Sequence, residues 1–211
     1  MNPALWEALG TVVDPELDQP ITELGFVSKA VVVTGHAYVR LRLPTYFCAP
    51  NFAYLMVADA YDAVRAVPSV TTVDVRLDDH FAADEINAGV AASAGFAGTF
   101  GESGDLDELR LTFRRKAYLA SVDRLLVFSG AAATIADVPP SPALDAMLRR
   151  RAALGLDCSP GAPLLLDEHG GELTPLRLRH ARSVRLSIDG NAGFCRGLLR
   201  TRYEEVLNRS V

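Results

Sequence analysis

An α/β (α+β) fold, a small mixed sheet flanked by helices over about residues 1–78 with an α+β extension over 79–211, is the class this sequence predicts. Three observations predict it. Two β-rich runs, Val27 to Val33 and Ala37 to Leu43, are joined by Thr34-Gly35-His36, a hairpin signal. Asn51 to Val67 places Phe52, Leu55, Met56, Ala60, Ala63, Val64 and Val67 at helical spacing, and Pro68 stops it. Val70 to Leu77 alternates through Val73, Val75 and Leu77, which reads as a third strand.

Each element has a local reason. Residues 3–10 form a short helix with Leu5, Trp6 and Leu9 on one side. Asp14-Pro15-Glu16 and Gln19-Pro20 mark a loop, because proline fixes φ and constrains the residue before it. In the second run of the hairpin, Val39, Leu41 and Leu43 share one face and Tyr38, Arg40 and Arg42 the other, the pattern of a half-buried strand. Beyond residue 78, Asp78 to Asn87 reads as a helix opening at an acidic cap. Gly95 to Gly104 holds four glycines and reads as a flexible connection. Leu106 to Leu126 and Ala143 to Leu154 read as helices, Leu164 to Ile188 as strands around a Gly170-Gly171 turn, and Phe194 to Leu207 as a final helix.

The 211 residues are 49% hydrophobic and 22% charged, enough apolar content to bury a core. The net charge of -5 argues against nucleic acid as a partner. No apolar run approaches the roughly 18 residues of a membrane span, so no membrane is expected. The first residues, Met1-Asn2-Pro3-Ala4-Leu5-Trp6-Glu7, have no basic stretch and carry an early acid, unlike a signal peptide. Three cysteines, Cys48, Cys158 and Cys195, are sparse and odd in number, which suggests reduced thiols in the cytoplasm.

The chemistry centres on Cys48, in Leu43-Pro44-Thr45-Tyr46-Phe47-Cys48-Ala49-Pro50, after a strand and before a helix. A thiolate there meets exposed helix N–H groups and the positive end of the helix dipole, both of which lower a thiol pKa. The plainer reading is a small buried hydrophobe, the usual fate of a free cysteine. One cysteine cannot close a structural metal or cluster site, which takes about four ligands. Asp14 serves either as a ligand or proton acceptor beside this loop or as a turn cap; Glu16 reads as solvated. Thr45 orients the loop by hydrogen bonding in either case. His80 and Asp84, four apart, would share a helix face, and imidazole with carboxylate suits iron or zinc, although a solvated acidic helix start explains them equally simply. Cys158 and Cys195 have no ligand-type neighbour at useful spacing, and Cys195 falls at the start of the last helix expected. His169 and His180 read as surface residues of hairpins, and Arg149-Arg150-Arg151 and Arg196, Arg200 and Arg202 as solvated helix faces rather than an anion site. No Ser-His-Asp set, phosphate loop or nucleotide fingerprint is present.

Asp14-Pro15-Glu16, Ile21-Thr22-Glu23-Leu24-Gly25-Phe26-Val27, the hairpin, and Thr45 to Pro50 opening a helix occur in the order and spacing of a known family. Residues 1–78 resemble the SufT/PaaD-like metal–sulfur cluster assembly domain, and Pro44-Thr45-Tyr46 leans toward the PaaD-like branch that accompanies a diiron epoxidase. One departure stands out. The family places cysteine directly before the proline; here Ala49 fills that slot and the thiol sits one residue earlier, at Cys48, with the Thr-to-Pro distance kept.

The resemblance implies a non-catalytic maturation factor, not an enzyme. It would assist assembly or insertion of an iron or iron–sulfur centre, held transiently through Cys48 with Asp14 and Thr45 nearby. Its partner would be a client metalloenzyme, a soluble diiron monooxygenase component among the candidates, with residues 79–211 recognising the client and a homo-oligomer compatible with the chain. Two other readings stay open: a metal-free regulatory or coupling subunit of a monooxygenase, and a thiol or metal hydrolase.

Overall fold

The computed structural model describes residues 2–101, 106–129 and 132–208. The fold is mixed α+β, and the chain divides into two compact units, Met1–Leu106 with Asn191–Val211, and Asp107–Gly190.

The first unit opens with helix α1, Pro3–Gly10, where Asn2 caps the Leu5 N–H at 3.2 Å and Pro3 supplies the preset φ of a first helical position. Strands β1 (Val13–Asp14) and β2 (Gln19–Pro20) form a small ladder. The main sheet has the order β3 (Val27–Val33), β4 (His36–Arg42), β5 (Thr72–Asp78). The expected hairpin is β3–β4, turning at Thr34 and Gly35 with φ of 48° and 82°. Two consecutive positive φ values make the turn whose twist matches the strands it joins. A side chain at Gly35 would also meet the Thr71 hydroxyl at 2.7 Å.

Strand β5 pairs with β4 in parallel, His36 opposite Thr72 through Arg42 opposite Asp78. A parallel neighbour cannot be reached by a tight turn, so the chain crosses over through helix α2, Pro50–Arg65. Leu5, Leu9, Phe26, Val39, Leu41, Val57 and Ile86 are among the residues buried between sheet and helices.

Three expectations are corrected here. The helix after β5 is α3, Ala83–Ala91, not a helix from Asp78: the strand runs through Asp78, Asp79 takes a left-handed φ of 52°, and only then does the chain coil. The glycine-rich connection holds a short helix, α4, Gly95–Phe100, closed by Gly101 at φ 69°; residues 102–104 lie outside the described residues. The strands expected over 164–188 reduce to one isolated bridge, Leu166 with Glu172. From Pro175 the chain is helix α7, Pro175–Asn208, because Thr174 accepts the Arg177 N–H and Pro175 fits a first turn.

The second unit packs α5 (Leu106–Ser129), α6 (Pro142–Ala153) and the first part of α7. Tyr118, Val122, Leu125, Met147 and Leu164 are buried together. Arg151, expected on a solvated face, is 0% exposed and donates to the carbonyls of Pro163 and Leu164 at 2.9 and 3.2 Å. Buried Asp123 receives the Arg185 guanidinium at 2.6 Å. No helix among the described residues is long and apolar enough to cross a membrane.

The turn geometry gives a paired test by urea denaturation of the full chain. Gly35→Ala should cost about 1–2 kcal/mol, since alanine resists a left-handed φ. Gly10→Ala, in a helix with ordinary space around it, should stabilise by about 0.4–1 kcal/mol.

Candidate functional site

Parallel pairing sets the ends of β4 and β5 side by side, so the segments leaving them meet at one edge of the sheet. The Phe81 N–H donates to the Tyr46 carbonyl at 3.1 Å. Beside it, His80 is buried and donates from Nε2 to the Cys48 carbonyl at 2.7 Å, while its Nδ1 accepts the Ala82 N–H at 3.2 Å. The second contact requires an unprotonated Nδ1, which leaves the proton on Nε2. Both ring nitrogens are thereby used. His80 clamps the loop and offers no lone pair to a metal.

Within the loop, the Cys48 Sγ lies 3.3 Å from the Thr45 hydroxyl, which also accepts the Phe47 N–H at 3.3 Å. Cys48 is half-buried, and α2 begins two residues later with Ala49 at its N-cap and no side-chain cap. Three aromatic rings surround the thiol's loop. Tyr46 and Phe47 stand edge-on with centroids 5.0 Å apart, Phe81 lies 6.1 Å from Phe47, and Phe47 is 78% exposed.

Asp14 is buried and caps its own turn: Oδ1 accepts the N–H groups of Glu16 and Leu17 at 2.9 and 2.8 Å. Burial pushes its carboxyl up to about 6, against the pull of those two hydrogen bonds.

The second half of α7 belongs to this unit and is tied to the same region. Asn191 donates to Glu16 at 3.4 Å, Arg196 to Gln19 at 2.6 Å, and Arg202 to the carbonyls of Leu43 and Asp79 at 3.1 and 2.6 Å. Between them sits half-buried Cys195, inside α7 and not at a helix start. Burial pushes its thiol up to about 11, and the neighbouring charges of Asp14, Cys48 and Glu16 add to the effect.

Of the residues singled out from sequence, Cys48, Thr45 and His80 come together directly, and Asp14 lies on the Cys195 side of the same region. Asp84 does not join them. It is exposed on the first turn of α3, lining a groove of about 310 Å³ with Tyr61, Asp74, Arg76 and Asn87. The helix face shared by His80 and Asp84 does not exist, because His80 precedes the helix. Cys158 lies in the other unit and donates to the Leu156 carbonyl at 3.4 Å. Among the described residues, no group of three or more His, Cys, Asp or Glu is arranged to hold a metal ion. Sequence reasoning missed the clamp on Cys48, the aromatic rings as a group and the placement of Cys195. For the clamp the sequence offers only a histidine shortly after the strand-like run ending at Leu77, since its partner is set by the parallel register of β4 and β5.

Residues 3–75 match the family described as iron-sulfur cluster assembly protein, a stretch that starts in α1 and ends inside β5. It contains Asp14, Thr45 and Cys48 and excludes His80 and Cys195. No curated protein and no solved structure matches the chain.

The state of Asp14 gives a pH prediction for the metal-free protein. Its folded pKa lies above the unfolded carboxylate value of about 3.9, so the native state holds the proton more tightly. Stability should therefore be greatest below about pH 4 for this group and decline as pH rises through about 6. Asp14→Asn keeps the turn's acceptor and removes the titration. The variant should gain about 2–3 kcal/mol on the wild type at pH 7.5 relative to pH 4, read from urea midpoints at both values.

Proposed function

We propose that this protein, whose first 75 residues carry a domain of the iron-sulfur cluster assembly protein family, is a non-catalytic maturation factor that carries an iron or iron–sulfur centre to a client enzyme. The family match supports the role in iron–sulfur assembly. The observation that carries the finer reading is the Cys48 junction: a half-buried thiol on a loop held by His80 and Thr45, with no closed ligand set among the described residues. Cargo on Cys48 then needs donors from a second molecule, which suits transfer better than storage. Thr45 supports the loop through its contact with the thiol, and Asp14 caps its own turn at Glu16 and Leu17. The client we favour is a component of a soluble diiron monooxygenase, on the strength of Pro44-Thr45-Tyr46, and the setting we favour is the cytoplasm.

A second reading draws on the exposed rings of Tyr46, Phe47 and Phe81, the kind of apolar patch that protein partners cover. Under it the chain is a metal-free docking subunit of the client.

Two variants separate these readings. Cys48→Ser should lower iron loading of a co-expressed apo-client several-fold while the protein's thermal midpoint stays where it was. Phe47→Ala should weaken client capture under either reading. If Cys48→Ser leaves loading intact and Phe47→Ala abolishes client activity, the docking subunit is the correct account.

A further inference from the structure

We propose that the outer edge of β5 is a strand-addition site, which takes an extended segment of a partner protein carrying a lysine or arginine. The inference does not depend on the reading of Cys48. Strand β5 ends the sheet: one side pairs with β4, and among the described residues no strand lies on the other. The chain itself shows that this edge accepts strand-like bonding. The Leu77 N–H donates to Asn87 Oδ1 at 2.8 Å, and Asn87 donates from Nδ2 to the Leu77 carbonyl at 3.0 Å. A side-chain amide thus stands where the backbone of a neighbouring strand would. Backbone N–H and C=O groups alternate sides from one residue of a strand to the next. With Leu77 turned outward, Val75 and Val73 turn outward too. Neither has a backbone hydrogen bond outside the sheet ladder among the described residues.

The space beside those two residues is the groove of about 310 Å³. Asp84, Asn87, Ala88 and Ala91, spaced as one face of α3, line it together with Tyr61 of α2. Asn87 occupies the edge at Leu77; Ala88 and Ala91 contribute only methyl groups to the wall and leave room for a main chain. The charges specify the occupant. Asp74 is already paired with Arg40 and Arg76, at 2.9 and 2.8 Å, whereas Asp84 lines the groove with no ion pair among the described residues. The unanswered charge is negative, so the incoming segment brings a basic residue, while its main chain bonds to Val73 and Val75. The opposite edge strand, β3, is blunted in the usual ways, by the irregular pairing between Val27 and Lys29 and by the lysine itself.

The probe is a capped, fluorescent heptapeptide, Thr-Val-Lys-Val-Lys-Val-Thr, titrated into the full-length protein and read by anisotropy, with amide exchange followed by NMR. Saturating peptide should slow exchange at the Val73 and Val75 amides by at least about tenfold and leave the Leu77 amide, already bonded to Asn87, as it was. N-methylation of one alternate set of peptide residues should weaken binding by at least about tenfold, and of the other set should not, a comparison that needs no change in the protein. Asp84→Asn should weaken binding about two- to fivefold, the worth of an exposed ion pair. Ala91→Tyr, which fills the groove from an exposed helix position, should abolish binding without moving the thermal midpoint. The proposal is overturned if the peptide does not bind, if it binds Ala91→Tyr as tightly as the wild type, or if it leaves Val73 and Val75 unprotected. A wild type that sediments as a dimer and becomes a monomer as Ala91→Tyr would overturn it as well, because a second copy of the chain would then cover the edge.

Discussion

The parallel pairing of β4 with β5 is the constraint on which the rest of the first unit depends. It forces the chain off the sheet after Arg42 and back through α2, and it brings the ends of both strands to the same edge. Everything of chemical interest then follows from what the sequence places just past those ends. After β4 come Thr45 and Cys48; after β5 comes His80. The hydrogen bond from His80 to the Cys48 carbonyl joins the two exits and fixes the loop backbone at Cys48, whose Sγ lies beside the Thr45 hydroxyl. An interior strand pair alone would not achieve this, since the loop contains no regular structure to hold it.

The C-terminal helix adds a second layer to that edge. Gly25, at φ 76°, lies against this helix: an added Cβ would sit 3.3 Å from Leu199. Glycine meets both demands at once, the left-handed backbone and the absent side chain. The arginines of this helix, which look like solvent-facing charges along the sequence, are instead its fastenings: Arg196 to Gln19 and Arg202 to two backbone carbonyls. The family match ends at residue 75, and the unit that contains it also includes a helical segment from more than 100 residues further on.

What could be read from sequence divides along physical lines. The hairpin, α2 and β5 were legible because one face of each is buried, so apolar residues recur at the period of the element: Val39 and Leu41 at two, Met56, Ala60 and Val64 at four. The family motifs made Asp14, Thr45 and Cys48 stand out, and the structure places Thr45 on the thiol and Asp14 in a capped turn. Residues 175–188 misled because α7 is polar over most of its surface and presents no clean stripe; only Thr174-Pro175 marked its start. The clamp was illegible for a different reason. Which partner His80 finds depends on the parallel register of β4 and β5, a long-range pairing that no local pattern around His80 encodes. Arg151 likewise reads as one of three surface arginines until the carbonyls of Pro163 and Leu164 are seen around it.

The central claim, that Cys48 carries iron–sulfur cargo, is tested most directly by the iron and acid-labile sulfide bound to the protein after reconstitution and isolation without oxygen, followed by its visible absorption. The account predicts that the wild type retains iron and sulfide together with a thiolate-to-iron absorption, and that Cys48→Ser retains neither while folding normally. A wild type that emerges colourless and free of both, or a Cys48→Ser variant that retains as much as the wild type, would contradict it.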